Sequence, residues 1–277
     1  MNSAAPLSVW PCAQQPSRMQ RRGRYVPESV AHPAKMLPEL ARRAISAYSA
    51  RGDIVLDPMC GIGTTLVEAM HLGRSAFGIE YEPRWAELAE ANLALAEAFG
   101  ASGTGDIRRG DARDVGSLVP ASLRGRVALV LTSPPYGSSV HGRVQVRSGE
   151  VLKRDDSYSR DANNLAHVGD AQLLLAVQEI FSACSPLLRP GGIVVITARP
   201  WRHDGLLVDF PGAVVRTAEA AGLVPVQRLV ALLAGLQDDR IVPRASFFQL
   251  RLVREARAAG VPLRVIAHED VLVLRKP

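Results

Sequence analysis

A serine, two prolines and a tyrosine, Ser133-Pro134-Pro135-Tyr136, follow directly on the apolar run Val127-Ala128-Leu129-Val130-Leu131. The run has no alternation and is rich in branched residues, which predicts a strand buried on both faces. Neither proline can donate to a sheet and both fix φ, so the chain leaves this strand as a stiff turn carrying one hydroxyl and one ring. Such strand ends are where open α/β sheets bind ligands. Upstream, Asp57-Pro58-Met59-Cys60-Gly61-Ile62-Gly63-Thr64-Thr65 lies between an expected strand over 53–56 and a helix over 66–72. Its two glycines let the backbone pass close to a ligand, and the helix start behind them offers free N–H groups. A third glycine at dinucleotide spacing and the lysine of a phosphate-binding loop are both missing, which argues against a nicotinamide cofactor or ATP. Some twenty residues on, Glu80 closes the strand over 75–79, where an acid accepts from both hydroxyls of a ribose. Asp111, in Gly110-Asp111-Ala112-Arg113, is placed to accept from an adenine amine.

These residues need a sheet to bring them to one edge. Apolar residues at helical spacing predict helices over 36–50, from Met36, Leu37, Leu40, Ala44 and Ile45, and over 83–99, from Trp85, Leu88, Leu95 and Phe99. Further helices are expected over 170–188 and 212–221, with a last helical stretch to Ala259. Strands are expected over 193–197 and 224–232, and again over 263–274 with a bend near Glu269. Strands alternating with helices predict an α/β domain built on a mostly parallel sheet. Residues 138–169 lack periodicity and are too many for a plain connection. They are either disordered or a substrate-gripping loop carrying Arg143, Arg147, Lys153 and Arg154; the second reading is preferred because the loop hangs from the Pro-Pro-Tyr turn.

At 277 residues the chain suits one large domain with an appendage. A basic arm expected to be flexible covers 1–24, ending in Arg18, Arg21, Arg22 and Arg24, and the main domain covers 25–277. The arm is either a disordered tail or a contact to backbone phosphate. No apolar run approaches the length of a membrane span, and the start lacks the apolar core of a signal peptide. Cys12, Cys60 and Cys184 are widely spaced, without metal or disulfide spacing. A cytoplasmic protein with reduced thiols, no structural metal and no membrane association is therefore expected. Net charge is +6, and lysine occurs only as Lys35, Lys153 and Lys276. The arginine excess either reflects codon composition or suits bidentate contacts to a polyanion.

In combination, the Asp57–Thr65 loop and Ser133-Pro134-Pro135-Tyr136 resemble the amino-methylating DNA methyltransferases. In that family Ser-Pro-Pro-Tyr is associated chiefly with cytosine N4 and Asp-Pro-Pro-Tyr with adenine N6. Pro33-Ala34-Lys35 is similar to the family's extra cofactor-side motif, and His268-Glu269-Asp270-Val271-Leu272-Val273 resembles the last strand of the cytosine-N4 members. The resemblance implies a class I, Rossmann-like fold with a seven-stranded, mostly parallel sheet and helices on both faces. It implies S-adenosylmethionine (S-adenosyl-L-methionine) bound by Pro33, Lys35, Asp57, Pro58, Met59, Cys60, Gly61, Gly63, Thr64, Thr65, Glu80, Tyr81, Asp111 and Ala112. Catalysis falls to Ser133, Pro134, Pro135 and Tyr136, and the partner is nucleic acid, DNA ahead of RNA. Met59 stands where phenylalanine is usual and Ile62 where a small residue is common, and no separate target-recognition domain is visible. Two alternatives remain: a transfer-RNA guanine-N2 methyltransferase, since a Pro-Pro-Tyr-Gly turn also occurs there, and a nucleic-acid-binding regulator that keeps the fold. Cysteine chemistry at cytosine C5 would need Cys12, which lies in the arm and not after a buried strand. Cys60 is expected to pack.

Overall fold

All six residues from Val127 to Thr132 are buried, as their unbroken apolar pattern requires, and the strand they form lies inside the sheet with neighbours on both sides. The computed structural model describes residues 5–135, 143–147, 150–154, 161, 164–203, 206–245, 247–258 and 260–277. The chain begins with β1 (Val9–Pro11), α1 (Ser17–Arg21), a 3-10 turn (Pro27–Ala31) and α2 (Pro38–Tyr48). Strands and helices then alternate: β2 (Ile54–Asp57), α3 (Thr64–His71), β3 (Ser75–Glu80), α4 (Pro83–Ala98), β4 (Thr104–Arg109), α5 (Val115–Leu118) and β5 (Val127–Thr132). A ribbon, β6 (Arg143–Arg147) and β7 (Glu150–Arg154), precedes α6 (Asp170–Cys184) and β8 (Leu188–Ala198). The last part comprises the hairpin β9 (Trp201–His203) and β10 (Leu206–Val208), α7 (Phe210–Ala220), β11 (Val224–Leu232), the hairpin β12 (Ala234–Gln237) and β13 (Arg240–Pro243), α8 (Phe247–Ala258) and β14 (His268–Arg275).

The main sheet has eight strands in the order β1-β11-β14-β8-β5-β2-β3-β4. Only β14 runs antiparallel to its neighbours; the other adjacent pairs are parallel. From β2 the chain moves outward through β3 and β4, then returns to lay β5 on the other side of β2. That reversal opens a crevice above the carboxyl ends of β2 and β5. Apolar residues of α2, α3 and α4 cover one face of the sheet and those of α5, α6 and α7 the other. In α6 the buried positions Leu173, Ala176, Val177, Ile180, Phe181 and Cys184 form one stripe at helical spacing.

Four expectations change. The sheet has eight strands rather than seven, because the segment expected as a flexible arm supplies one: Val9, Trp10 and Pro11 pair with Val230, Ala231 and Leu232. An open sheet edge is a row of unpaired backbone groups, and β1 covers the one on β11. The rest of the arm is also docked. Cys12 and Arg21 are buried, Arg21 donates to the Thr64 hydroxyl (3.2 Å) and to the Met36 carbonyl, and Arg24 and Tyr25 both reach the buried Glu68 carboxylate. Second, the described part of 138–169 contains the antiparallel ribbon β6/β7. Third, the helix expected over 170–188 stops at Cys184, and Pro190-Gly191-Gly192 lie within β8 as a bulge, where the register jumps between Val127↔Leu188 and Leu129↔Ile193. Fourth, the last strand starts at His268 rather than 263 and runs past Glu269 without a bend, because its partner β11 ends at Leu232, opposite His268. The three cysteines are free and buried. Among the described residues no helix is long and apolar enough to cross a membrane.

Candidate active site

β2 ends on buried Asp57, and the chain turns through Pro58 to Gly63 before α3 begins. The Asp57 carboxylate accepts from the Thr65 hydroxyl (2.7 Å) and the Met59 N–H (3.1 Å), tying the strand end to the helix start. Gly61 and Gly63 have φ of 54° and 77°, the left-handed region that strains other residues. A Cβ on Gly61 would lie 3.0 Å from His32 Nε2, so the loop needs glycine there for space as well. The N–H groups of these two glycines are not open to a ligand. Closing so tight a turn uses them: Gly61 donates to Glu80 (2.8 Å) and Gly63 to the Cys60 carbonyl (2.8 Å). From α4, buried Asn92 braces the same loop by donating to the Ile62 carbonyl (2.9 Å), while its oxygen accepts from the Val26 N–H (2.8 Å).

Glu80, at the end of β3, also accepts from the Glu82 N–H (2.9 Å). A carboxylate has about four acceptor positions, so capacity remains for ligand hydroxyls. Burial pushes the Glu80 carboxyl up to about 7 and the Asp57 carboxyl up to about 6, with their hydrogen bonds pulling the other way. Glu80 lines a small cavity with Pro58, Met59, Tyr81, Asp111, Ala112, Pro135, Asn164 and Leu165. Asp111 is already engaged there. It receives two bonds from the Arg113 guanidinium (3.0 and 2.6 Å) and one from the Arg113 N–H (2.9 Å). The Arg113 hydrogen bonds hold its carboxyl below the usual range, against a smaller opposing effect of burial.

A larger cavity of about 500 Å³ adjoins the first across Met59 and Pro135. Pro33, Lys35, Asp57, Met59, Cys60, Gly61, Thr64 and Thr65 line it together with Ser133, Pro134 and Pro135. The turn after β5 therefore shares one space with the glycine loop after β2, as the sheet reversal dictates. Lys35 turns its ammonium back onto the carbonyls of Val30 and His32. Gly63 lines neither cavity; a Cβ there would meet Ala89 Cβ at 3.3 Å, so this glycine lets the loop pack against α4. Tyr136 lies outside the described residues. Burial pushes the Cys60 thiol well above its ordinary range and the Cys12 thiol up to about 12, so neither is a ready nucleophile.

Several residues at the site have no motif of their own. Ala13, Pro16 and Ser17 of the docked arm form part of the wall, held by Arg244, which donates to the carbonyls of Ala13 (3.2 Å) and Gln14 (2.8 Å). Thr197, Arg199 and Glu269 line the large cavity as well, and Asn164 and Leu165 the small one. Thr197 and Arg199 had a legible signal, since Thr197 closes a buried apolar run and Arg199 follows the strand as Ser133 follows β5. Glu269 had none, because its place depends on pairing between distant segments.

The residues present fit S-adenosylmethionine. The small cavity combines apolar lining from Pro58, Met59, Ala112 and Leu165 with the carboxylates of Glu80 and Asp111, a chemistry that suits an adenosine, and it adjoins the larger cavity that holds the glycine loop and Ser133. Comparisons with known proteins bear on the family and the fold. Residues 2–91 match the family model described as DNA methylase. A tRNA (guanine(10)-N2)-dimethyltransferase of Methanocaldococcus jannaschii is 35% identical over 128 residues, covering 44% of this chain and 33% of that protein. The type II methyltransferase M.MthZI of Methanothermobacter thermautotrophicus is 44% identical over 55 residues, covering 20% of this chain and 16% of its own. The matched part of this chain thus spans a third or less of these two relatives. The crystal structure of TrmN from Thermus thermophilus superposes with a TM-score of 0.55 at 19% identity, covering 94% of this chain and 53% of that one, which supports the Rossmann-like methyltransferase fold. The family model and the type II relative bear out the resemblance to amino-methylating DNA methyltransferases.

Proposed function

We propose that this chain, as an amino-methylating enzyme that uses S-adenosylmethionine, methylates the exocyclic N4 of cytosine in DNA. The observation that carries the reading is the Ser133-Pro134-Pro135 turn, set at the end of a central strand in one cavity with the glycine loop. The amine of cytosine is a poor nucleophile because its lone pair is delocalised into the ring. Ser133 Oγ and the Pro134 carbonyl, each accepting one amine hydrogen, favour a pyramidal nitrogen and localise that pair. Two consecutive prolines hold the acceptors in place before the base arrives, so little reorganisation is needed during attack. When bound, the cofactor supplies an electrophilic methyl group on a sulfonium. The surplus proton then sits on a cationic amine and is readily lost to water, so an uncharged serine suffices. Tyr136 is assigned the stacking of a base turned out of the duplex.

A second reading, guanine N2 in RNA, is favoured by the Methanocaldococcus jannaschii relative, whose name gives a tRNA guanine as its target. The two readings separate when the protein is given labelled cofactor with genomic DNA and total RNA, and digested nucleosides are analysed by mass spectrometry. Label in N4-methyldeoxycytidine supports the first reading. Label confined to RNA guanine overturns it in favour of the second.

A further inference from the structure

The small cavity is walled by two distant parts of the chain. Glu80 and Tyr81 close β3, whereas Asn164 and Leu165 come shortly before α6, and all four line the cavity. Two side-chain bonds join these parts. The Tyr81 hydroxyl donates to the Asp161 carboxylate (2.6 Å), and the Asn164 amide donates to Glu82 Oε1 (2.8 Å). Asn164 is buried and its amide is used at both ends, because its oxygen accepts from the Ala166 N–H (2.9 Å). An ionised carboxylate only accepts and a backbone N–H only donates, so these two partners fix which way the amide points. The bond to Ala166 closes a tight turn around Leu165, whose side chain, like that of Met59, packs against the core. On the other side, Glu82 gives its own N–H to Glu80 Oε1 (2.9 Å). Hydrogen bonds thus run from Asn164 through Glu82 to the carboxylate that ends β3.

We propose that Asn164 is a positioning residue for the cofactor: by clasping Glu82 it holds Leu165 in place as an apolar wall of the adenosine site. The assignment rests on the adenosine occupying the small cavity, and it is independent of which nucleobase is methylated. A wall that must be ordered at each binding event takes its ordering cost out of the affinity. The clasp orders Leu165 beforehand, and it does so from the turn that carries Glu80. Asn164 acts through Leu165 and takes no part in the transfer itself.

The test measures affinity by calorimetry for S-adenosylhomocysteine and for 5′-methylthioadenosine, which keeps the adenosine and lacks the amino-acid end. Asn164→Asp sets a second carboxylate against Glu82 and should weaken both ligands about tenfold, the worth of one buried hydrogen bond. Glu82→Gln keeps an acceptor oxygen and binds both as the wild type does. The double variant Asn164→Asp/Glu82→Gln carries the same bond with donor and acceptor exchanged, and both affinities return, which a merely damaged fold would not allow. Leu165→Ala, with the clasp intact, weakens both ligands as well. Wild-type affinity in Asn164→Asp or in Leu165→Ala overturns the proposal. So does a loss that Glu82→Gln does not relieve, or one confined to S-adenosylhomocysteine. If Asn164→Asp does not fold, Glu82→Ala breaks the clasp from the other side: weaker binding of both ligands supports the proposal and wild-type affinity overturns it. Glu80→Ala with undiminished affinity for 5′-methylthioadenosine overturns the placing of the adenosine in this cavity, and the role of Asn164 with it.

Discussion

On the proposed reading, in which Asp57 and Glu80 face the cofactor, two buried carboxylates should set the pH dependence of its binding. Asp57 and Glu80 carry carboxyls pushed up to about 6 and about 7, in each case mainly by burial. Ionised, they accept hydrogen bonds from a ligand; protonated, they lose that charge. Cofactor affinity should therefore fall as pH drops through about 7 and again through about 6, by at most about tenfold per pH unit for each group. Stability of the ligand-free protein should move the opposite way. The folded state holds these protons more tightly than the unfolded chain, so the two groups destabilise the fold increasingly between about pH 4.5 and 7. Calorimetric titrations and thermal melts across pH 5 to 8 check both signs, and Glu80→Gln should remove the upper step in affinity. Asp57 was legible in the sequence because it ends a strand beside a glycine turn, and Glu80 because it closes the next strand some twenty residues on. Their partners were less so: Asp111 looked free to meet an adenine, but a neighbouring arginine two residues on already grips it.

The glycine loop is held by elements that carry no motif. Asn92 of α4 satisfies the Ile62 carbonyl and the Val26 N–H together, so Asn92→Ala leaves a buried carbonyl and a half-buried N–H unpaired and should cost about 2 kcal/mol. Chemical denaturation reads that loss, and weaker cofactor binding should accompany it because the loop loses its brace. The docked N-terminal segment makes a further prediction. Deleting residues 1–24 removes β1, the Arg21 bonds and part of the cavity wall. A lower melting temperature and weaker cofactor binding are expected; a shortened protein equal to the full chain in both would show that this segment is dispensable. The sequence revealed β2, α3, β3, α4 and β5 because each has enough residues to show a period. A three-residue strand shows none, and its partner β11 lies at the other end of the chain, so β1 emerges only from the assembled sheet.

Across the whole molecule, alternation of strand and helix announced a doubly wound sheet, but not the position of each strand. That position explains why the glycine loop and the Ser133 turn meet: β2 and β5 are neighbours at the reversal of strand order. The same packing brings Glu269 from the last strand to the cavity. Net charge of +6 is consistent with a nucleic-acid partner, and the ribbon pairs Arg143 with Arg154 and Val144 with Lys153 in register. Replacing Arg143 and Arg154 by serine should weaken DNA binding at low salt and reduce the salt slope by about two. The most direct test of the central claim is the rate of N4-methyldeoxycytidine formation in a single turnover, compared between wild type and Ser133→Ala at saturating cofactor. Loss of an acceptor that acts in the transition state should lower that rate about a hundredfold while the cofactor Kd is unchanged. Formation of N4-methyldeoxycytidine by Ser133→Ala at the wild-type rate would contradict it.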